Sequence, residues 1–108
     1  MGAFDDREKG FERKYQLDAE QAFRAQARRD KLFGQWAAGQ LGYSGDKADA
    51  YAKDVVGSNF EKPGDDDMLG KVRADFKAAN LNVADDVLAA KLTECFSTAA
   101  GQIAAESK

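Results

Sequence analysis

A single proline, Pro63, interrupts a chain of 108 residues. Proline is the strongest breaker of helices, so its scarcity leaves long stretches free to be helical. Alanine, the best helix former, is abundant from 19 to 56 and from 74 to 105, and β-branched residues are few. The implied fold class is all-α. A chain this long makes one domain, able to bury roughly 65% of its unfolded surface, and is too short for a barrel enzyme.

Four amphipathic segments follow from the 3.6-residue period and its punctuation. The first is expected over 19–41, with Asp18 as N-cap and Gln21 completing a capping box. Phe23, Ala27, Phe33, Ala37 and Leu41 share one face with Trp36 at its margin, and Gly42 is the stop. The second, over 45–60, opens at Ser44 and stripes Ala48, Tyr51, Ala52, Val55 and Val56. After the loop around Pro63, the third runs over 66–79 with Met68, Leu69, Val72, Phe76 and Ala79 on one face. Asn82 is a candidate N-cap for the fourth, over 83–105, which aligns Ala84, Leu88, Leu92, Cys95, Phe96, Ala99 and Ile103. Short connections between apolar stripes predict a four-helix bundle over residues 18–108.

Residues 1–17 differ. Between Asp5 and Lys14 only Gly10 and Phe11 are uncharged, and the charges cancel. Phe4, Phe11 and Tyr15 are spaced i, i+7, i+11, on one face if the segment is helical. So short a helix is marginal alone in water, yet its aromatic residues are anchors for a groove on another protein. A frayed, soluble tail is the plainer alternative, although disordered tails rarely carry three aromatic residues. The expected organisation is a flexible N-terminal segment, 1–17, ahead of the bundle.

Composition removes many chemistries. With no histidine there is no Ser-His-Asp or Cys-His nucleophilic site, no His-ligated zinc and no imidazole switch near neutrality. The one cysteine, Cys95, rules out an internal disulfide or a CxxC pair and is expected as an inert core thiol. No cofactor or metal is implied. Sixteen basic against nineteen acidic residues, net −3, argue against nucleic-acid or anionic-membrane binding. No apolar run approaches a membrane span and the first residues lack signal-peptide order, so a cytoplasmic setting is expected.

The remaining candidates compete with structural roles. Asp65, Asp66 and Asp67 lack calcium-loop spacing and are expected to open a helix, as are Asp85 and Asp86. Arg24, Arg28 and Lys31 form a basic stripe, either a solvated face or a secondary contact or nucleotide surface. Arg29 is expected to lay its stem on Trp36. Gly34 and Gly39 read as helix contacts, Gly42 and Gly45 as loop punctuation, and Tyr43 and Tyr51 as packing or the wall of a small pocket. An enzyme would have to rest on Asp49 or Asp54, and no spacing supports it.

Several blocks, in order, carry a resemblance: Phe4-Asp5-Asp6-Arg7-Glu8 with Phe11-Glu12-x-Lys14, and Ala27-Arg28-Arg29-x-Lys31-Leu32-x-Gly34-x-Trp36-Ala37-Ala38. Leu41-Gly42-x-Ser44-Gly45, Tyr51-Ala52-Lys53-x-Val55-Val56 and Arg73-Ala74-Asp75-Phe76 follow. With them the chain resembles the zeta-subunit family of bacterial F-type ATP synthases, small four-helix proteins that inhibit ATP hydrolysis by the catalytic head. The resemblance implies a non-enzymatic inhibitor, monomeric when free, whose partners are the α, β and central rotor subunits. It implies attachment to the inner membrane only through that enzyme. It also implies that the inhibitory element is Phe4, Asp5, Asp6, Arg7, Glu8, Phe11, Glu12, Lys14 and Tyr15, entering a catalytic α/β interface and becoming helical there. Gly10 departs from a good helix former and weakens an isolated helix by about 1 kcal/mol relative to alanine. The alternative function is a helical bundle that binds a small ligand or nucleotide as a sensor, using Arg24, Arg28, Lys31 and the Tyr43 region.

Overall fold

The computed structural model describes residues 17–59 and 64–106. They form four helices and no strand: α1 Ala19–Gln40, α2 Gly45–Ser58, α3 Asp66–Ala78 and α4 Asp85–Glu106. The all-α, four-helix reading is thus the observed one among the described residues, and the expected boundaries hold within about two residues.

Local chemistry explains where the elements begin and end. At the start of α1 the Gln21 N–H donates to Asp18 Oδ1 at 2.8 Å, and the Asp18 N–H donates to Gln21 Oε1 at 3.0 Å. That reciprocal box satisfies two of the orphan donors of the first turn. Both α1 and α3 end in Schellman geometry. The Tyr43 N–H donates to Ala38 O around Gly42, whose φ is +82°, and the Leu81 N–H donates to Phe76 O around Asn80, whose φ is +62°. Asn80 is the residue type best able to replace glycine in that left-handed position.

The fourth helix starts at Asp85 rather than Val83, so Asn82 does not cap it. Leu81 and Val83 both pack against the main core while Asn82 and Ala84 are exposed. That two-residue alternation belongs to extended chain, and it overrides the capping preference.

α1 is the hub. On one side Gly34 lies against Ala52 of α2, so closely that a Cβ there would sit 2.9 Å from Ala52 Cα. Gly39 has open space around it, contrary to its expected contact role. On the other side α4 runs antiparallel to α1. Arg28 bonds Gln102 and Glu106 near one end, and Lys91 lies 5.8 Å from the Trp36 ring towards the other.

The main core joins Phe33, Ala37, Ala38, Tyr51, Val55, Met68, Val72, Phe76, Leu88, Leu92 and Cys95. Trp36 stacks on Phe33 at 5.7 Å and meets Phe76 edge-on at 5.8 Å. Burying a side chain such as Phe33 or Phe76 contributes about 2–3 kcal/mol. A second cluster of Ala25, Ala100 and Ile103, covered by Leu17 and Phe96, closes the end of the bundle where α1 begins. Phe23 departs from its expected face and is 68% exposed. In this first half of α1 the buried apolar residue is Ala25, packed on Ala100 and Ile103 of α4, whereas Asp30 is buried beside Asn59 at the end of α2.

Candidate functional site

The residues expected to form the inhibitory element, Phe4, Asp5, Asp6, Arg7, Glu8, Phe11, Glu12, Lys14 and Tyr15, lie outside the described residues. What the structure provides is their mount. Leu17 is held by Ala25, Ala100 and Ile103, and Asp18 is fixed by the capping box. Glu106, on the last turn of α4, pairs with Arg28 and lies 3.9 Å from Arg24. The hydrogen bond from the Arg28 guanidinium holds the Glu106 carboxyl below the usual glutamate range, against the opposing effect of desolvation. The chain therefore enters α1 from a point secured by backbone, apolar and ionic contacts together.

The stripe of Arg24, Arg28 and Lys31 divides. Arg24 and Arg28 turn to α4 and Glu106. Lys31 instead lines an open groove between α1 and α2, of about 570 Å³, with Ala27, Gln35, Asp49, Ala52, Lys53, Val56 and Gly57. Ala27, Ala52 and Val56 make its apolar surface, and Lys31 and Lys53 outnumber Asp49 among its charges. Along α1, past Ala27, a hollow of about 150 Å³ continues towards Phe23, bordered by Gln26, Asp30 and Asn59.

Arg29 does not lie on Trp36. Its guanidinium donates to Asp30 at 2.9 Å and to Asp65 at 2.7 Å. Asn59 Nδ2 donates to the same two carboxylates at 2.9 and 3.1 Å. The acceptors force the amide orientation, and Asn59 Oδ1 is left buried without a hydrogen bond. Asp30 is 4% exposed, so this cluster takes a charge into the interior and needs Arg29 to do so. Asp65 holds the N-cap position of α3 as expected, but its carboxylate makes no cap bond and accepts from Arg29 and Asn59 instead. Asp66 and Asp67 occupy the first turn, as their dipole role requires. The missed signal is the neighbouring Arg29-Asp30 pair on a helix face that is otherwise apolar.

Tyr43 and Tyr51 pack edge to face at 5.6 Å. The Tyr51 hydroxyl donates to Asp75 Oδ2 at 2.8 Å, tying α2 to α3, and Lys71 bonds the same carboxylate at 3.1 Å. Burial and the adjacent Asp75 charge push the Tyr51 phenol far above its ordinary pKa. Cys95 is buried with its thiol pushed up by desolvation, so it is not an activated nucleophile. Among the described residues no group of three or more acidic or cysteine side chains is placed to hold a metal. No described helix is long and apolar enough to cross a membrane.

Comparison with known proteins agrees in one respect. A family model described as ATPase inhibitor subunit zeta matches residues 1–102, spanning the charged segment as well as the bundle. No curated protein matches the chain.

Proposed function

The chain belongs to the ATPase inhibitor subunit zeta family; from that premise we propose that the segment ahead of Leu17 is the inhibitory element and the bundle, with Leu17 packed on it, is its mount. The segment enters a catalytic α/β interface of the soluble head of an F-type ATP synthase, folds there into a helix and blocks rotation in the hydrolytic direction. Phe4, Phe11 and Tyr15 are its apolar anchors, and the flanking charges pair with side chains of the cleft. Ordering entropy is lost at that moment, which the anchors must offset. The free protein is a cytoplasmic monomer that reaches the membrane only by way of the enzyme.

The observation that carries this reading is the fixed exit: a segment rich in charge and aromatic residues leaves a bundle end pinned by Leu17, Asp18 and Glu106. Such an anchor transmits force from the segment to a body too bulky to follow it. A nucleotide sensor built on Arg24, Arg28 and Lys31 has less support, because two of the three cations are already paired with Glu106.

Deleting residues 1–16 while keeping Leu17 tests the proposal. The truncated protein should retain its helical circular dichroism and melting temperature and lose inhibition of ATP hydrolysis. Undiminished inhibition by the truncated bundle would refute it.

A further inference from the structure

We infer that the groove between α1 and α2 docks a helix of the enzyme this chain inhibits, an amphipathic helix whose apolar stripe is flanked by acidic residues. That docking rests on the function proposed above and adds a second contact to the one made by the inhibitory segment.

Shape sets the class of occupant. α1 and α2 meet closely at Gly34 and Ala52, so the groove over them is shallow, with a floor of short side chains from Ala27, Ala52 and Val56. Together with the adjoining hollow it runs along α1 from Phe23 to Gln35, about 18 Å at a rise of 1.5 Å per residue. That length holds a helix of about three turns, whose ridge settles between two others at about 8–10 Å from each axis. An extended peptide would need a sheet edge for its backbone, and the described residues contain no strand. A helix satisfies its own backbone and presents only side chains.

Charge sets the chemistry of that helix. Acidic residues outnumber basic ones in this chain, nineteen to sixteen, so its cations find partners easily. Every described arginine is in an ion pair: Arg24 and Arg28 with Glu106, Arg29 with Asp30 and Asp65, Arg73 with Asp85. Lys71 and Lys91 pair along their own helices. Lys31 and Lys53 have no ionic partner among the described residues, although Asp49 stands one turn before Lys53 on α2. One of these two lysines comes from each wall of the same apolar groove. A helix lying between them meets a cation on either side, so acidic residues on both flanks of its apolar stripe are the complement.

Position sets which protein supplies it. Phe23 stands five residues beyond the Asp18 cap, about 8 Å along α1 from the point where the segment leaves the bundle. An enzyme that grips the segment therefore lies within reach of this end of the groove. The exposed Phe23 ring, beside its hollow, is the aromatic anchor that begins the contact.

The test sets full-length protein against the purified ATPase head and reads inhibition of hydrolysis and binding side by side. Lys31→Glu with Lys53→Glu should raise the half-inhibiting concentration and the dissociation constant roughly tenfold or more, since two attractions become repulsions. Phe23→Ala should raise both roughly fivefold or more, as loss of an anchor does. Its melting temperature should stay nearly unchanged, because the ring is exposed in the free protein. Lys47→Glu with Lys77→Glu alters net charge equally, lines no part of the groove, and should leave both values within about twofold. A photo-crosslinking benzoylphenylalanine in place of Gln35 should join to a peptide of the head with acidic residues flanking a helical apolar stripe. Lysine in place of those acids should restore binding of the Lys31→Glu, Lys53→Glu variant. Charge reversals that leave inhibition at the parent's strength overturn the inference. So do crosslinks to a head peptide without acidic residues, or only between copies of this chain, since the occupant is then a second copy. If the parent neither binds nor inhibits the head, both readings fall. If inhibition survives deletion of residues 1–16 but not the charge reversals, the role of the segment falls and the docking stands.

Discussion

Alanine in place of Gly34 and alanine in place of Gly39 are the same chemical change on one helix, with opposite expected signs. A Cβ on Gly34 meets Ala52 Cα at 2.9 Å, its carbonyl oxygen at 3.1 Å and its Cβ at 3.2 Å. The first two are backbone atoms that cannot rotate aside, so α1 and α2 must separate. Overpacking against such a wall costs about 2–3 kcal/mol, and the better helix propensity of alanine returns about 1 kcal/mol, for a net loss of about 1–2 kcal/mol. In a domain of this size each kcal/mol shifts the melting temperature by roughly 4–8 °C, so G34A should melt roughly 4–16 °C lower. At Gly39 nothing lies within 4 Å of the new Cβ. Only the propensity gain remains there, about 1 kcal/mol of added stability. Thermal melts at 222 nm and urea titrations with Trp36 fluorescence measure both variants, and an unchanged urea slope would confirm that compactness is preserved. Adding Ala52→Gly to G34A should recover only part of the loss, because the Cα and carbonyl clashes persist. If G34A melted at or above the parent, the close approach of α1 and α2 would be wrong, and the geometry of the groove beside it with it.

Three further outcomes follow from the polar contacts. Arg29→Met should cost about 3 kcal/mol in urea unfolding, because it strands the nearly buried Asp30 charge, and adding Asp30→Asn should recover much of it. Tyr51 is protonated far more firmly in the folded than in the unfolded state. Its contribution is therefore fully present below the ordinary tyrosine pKa near 10 and is lost as pH rises above it, so alkaline melts should fall less steeply for Tyr51→Phe than for the parent. Asn80→Gly should raise the melting temperature, since relieving a left-handed non-glycine residue yields up to about 1 kcal/mol.

The legible part of this fold was the part written in local chemistry. Periodicity placed all four helices, and Asp18 with Gln21 announced a capping box that forms as expected. Gly42 marked a stop for the same reason, since its left-handed φ is a property of one residue. What escaped was tertiary. Arg29 was drawn towards Trp36 by spacing on one helix, while its true partner Asp65 comes from a different element. Phe23 fell on the apolar wheel but stays outside, at the edge of a hollow bordered by Gln26, Asp30 and Asn59. Asn82 had the right side chain for a cap, yet Leu81 and Val83 pulled the chain into extended form to fill the core. The candidate element at 1–17 came from sequence alone, whereas its secured exit became visible only with α4 in place.

The antiparallel pairing of α1 with α4 has a mechanical side. Tension applied at Leu17 runs along the axis of α1, parallel to the seam that it shares with α4. The seam is fastened near the exit by Glu106 and farther along by the meeting of Trp36 and Lys91. A pull in that direction loads these contacts together in shear, instead of parting them one by one as peeling does. Resistance to force is set by the rate of unfolding rather than by equilibrium stability. A protein of modest thermal stability can therefore resist force along one direction, and the α1–α4 contacts lie along that of a pull on Leu17 parallel to α1.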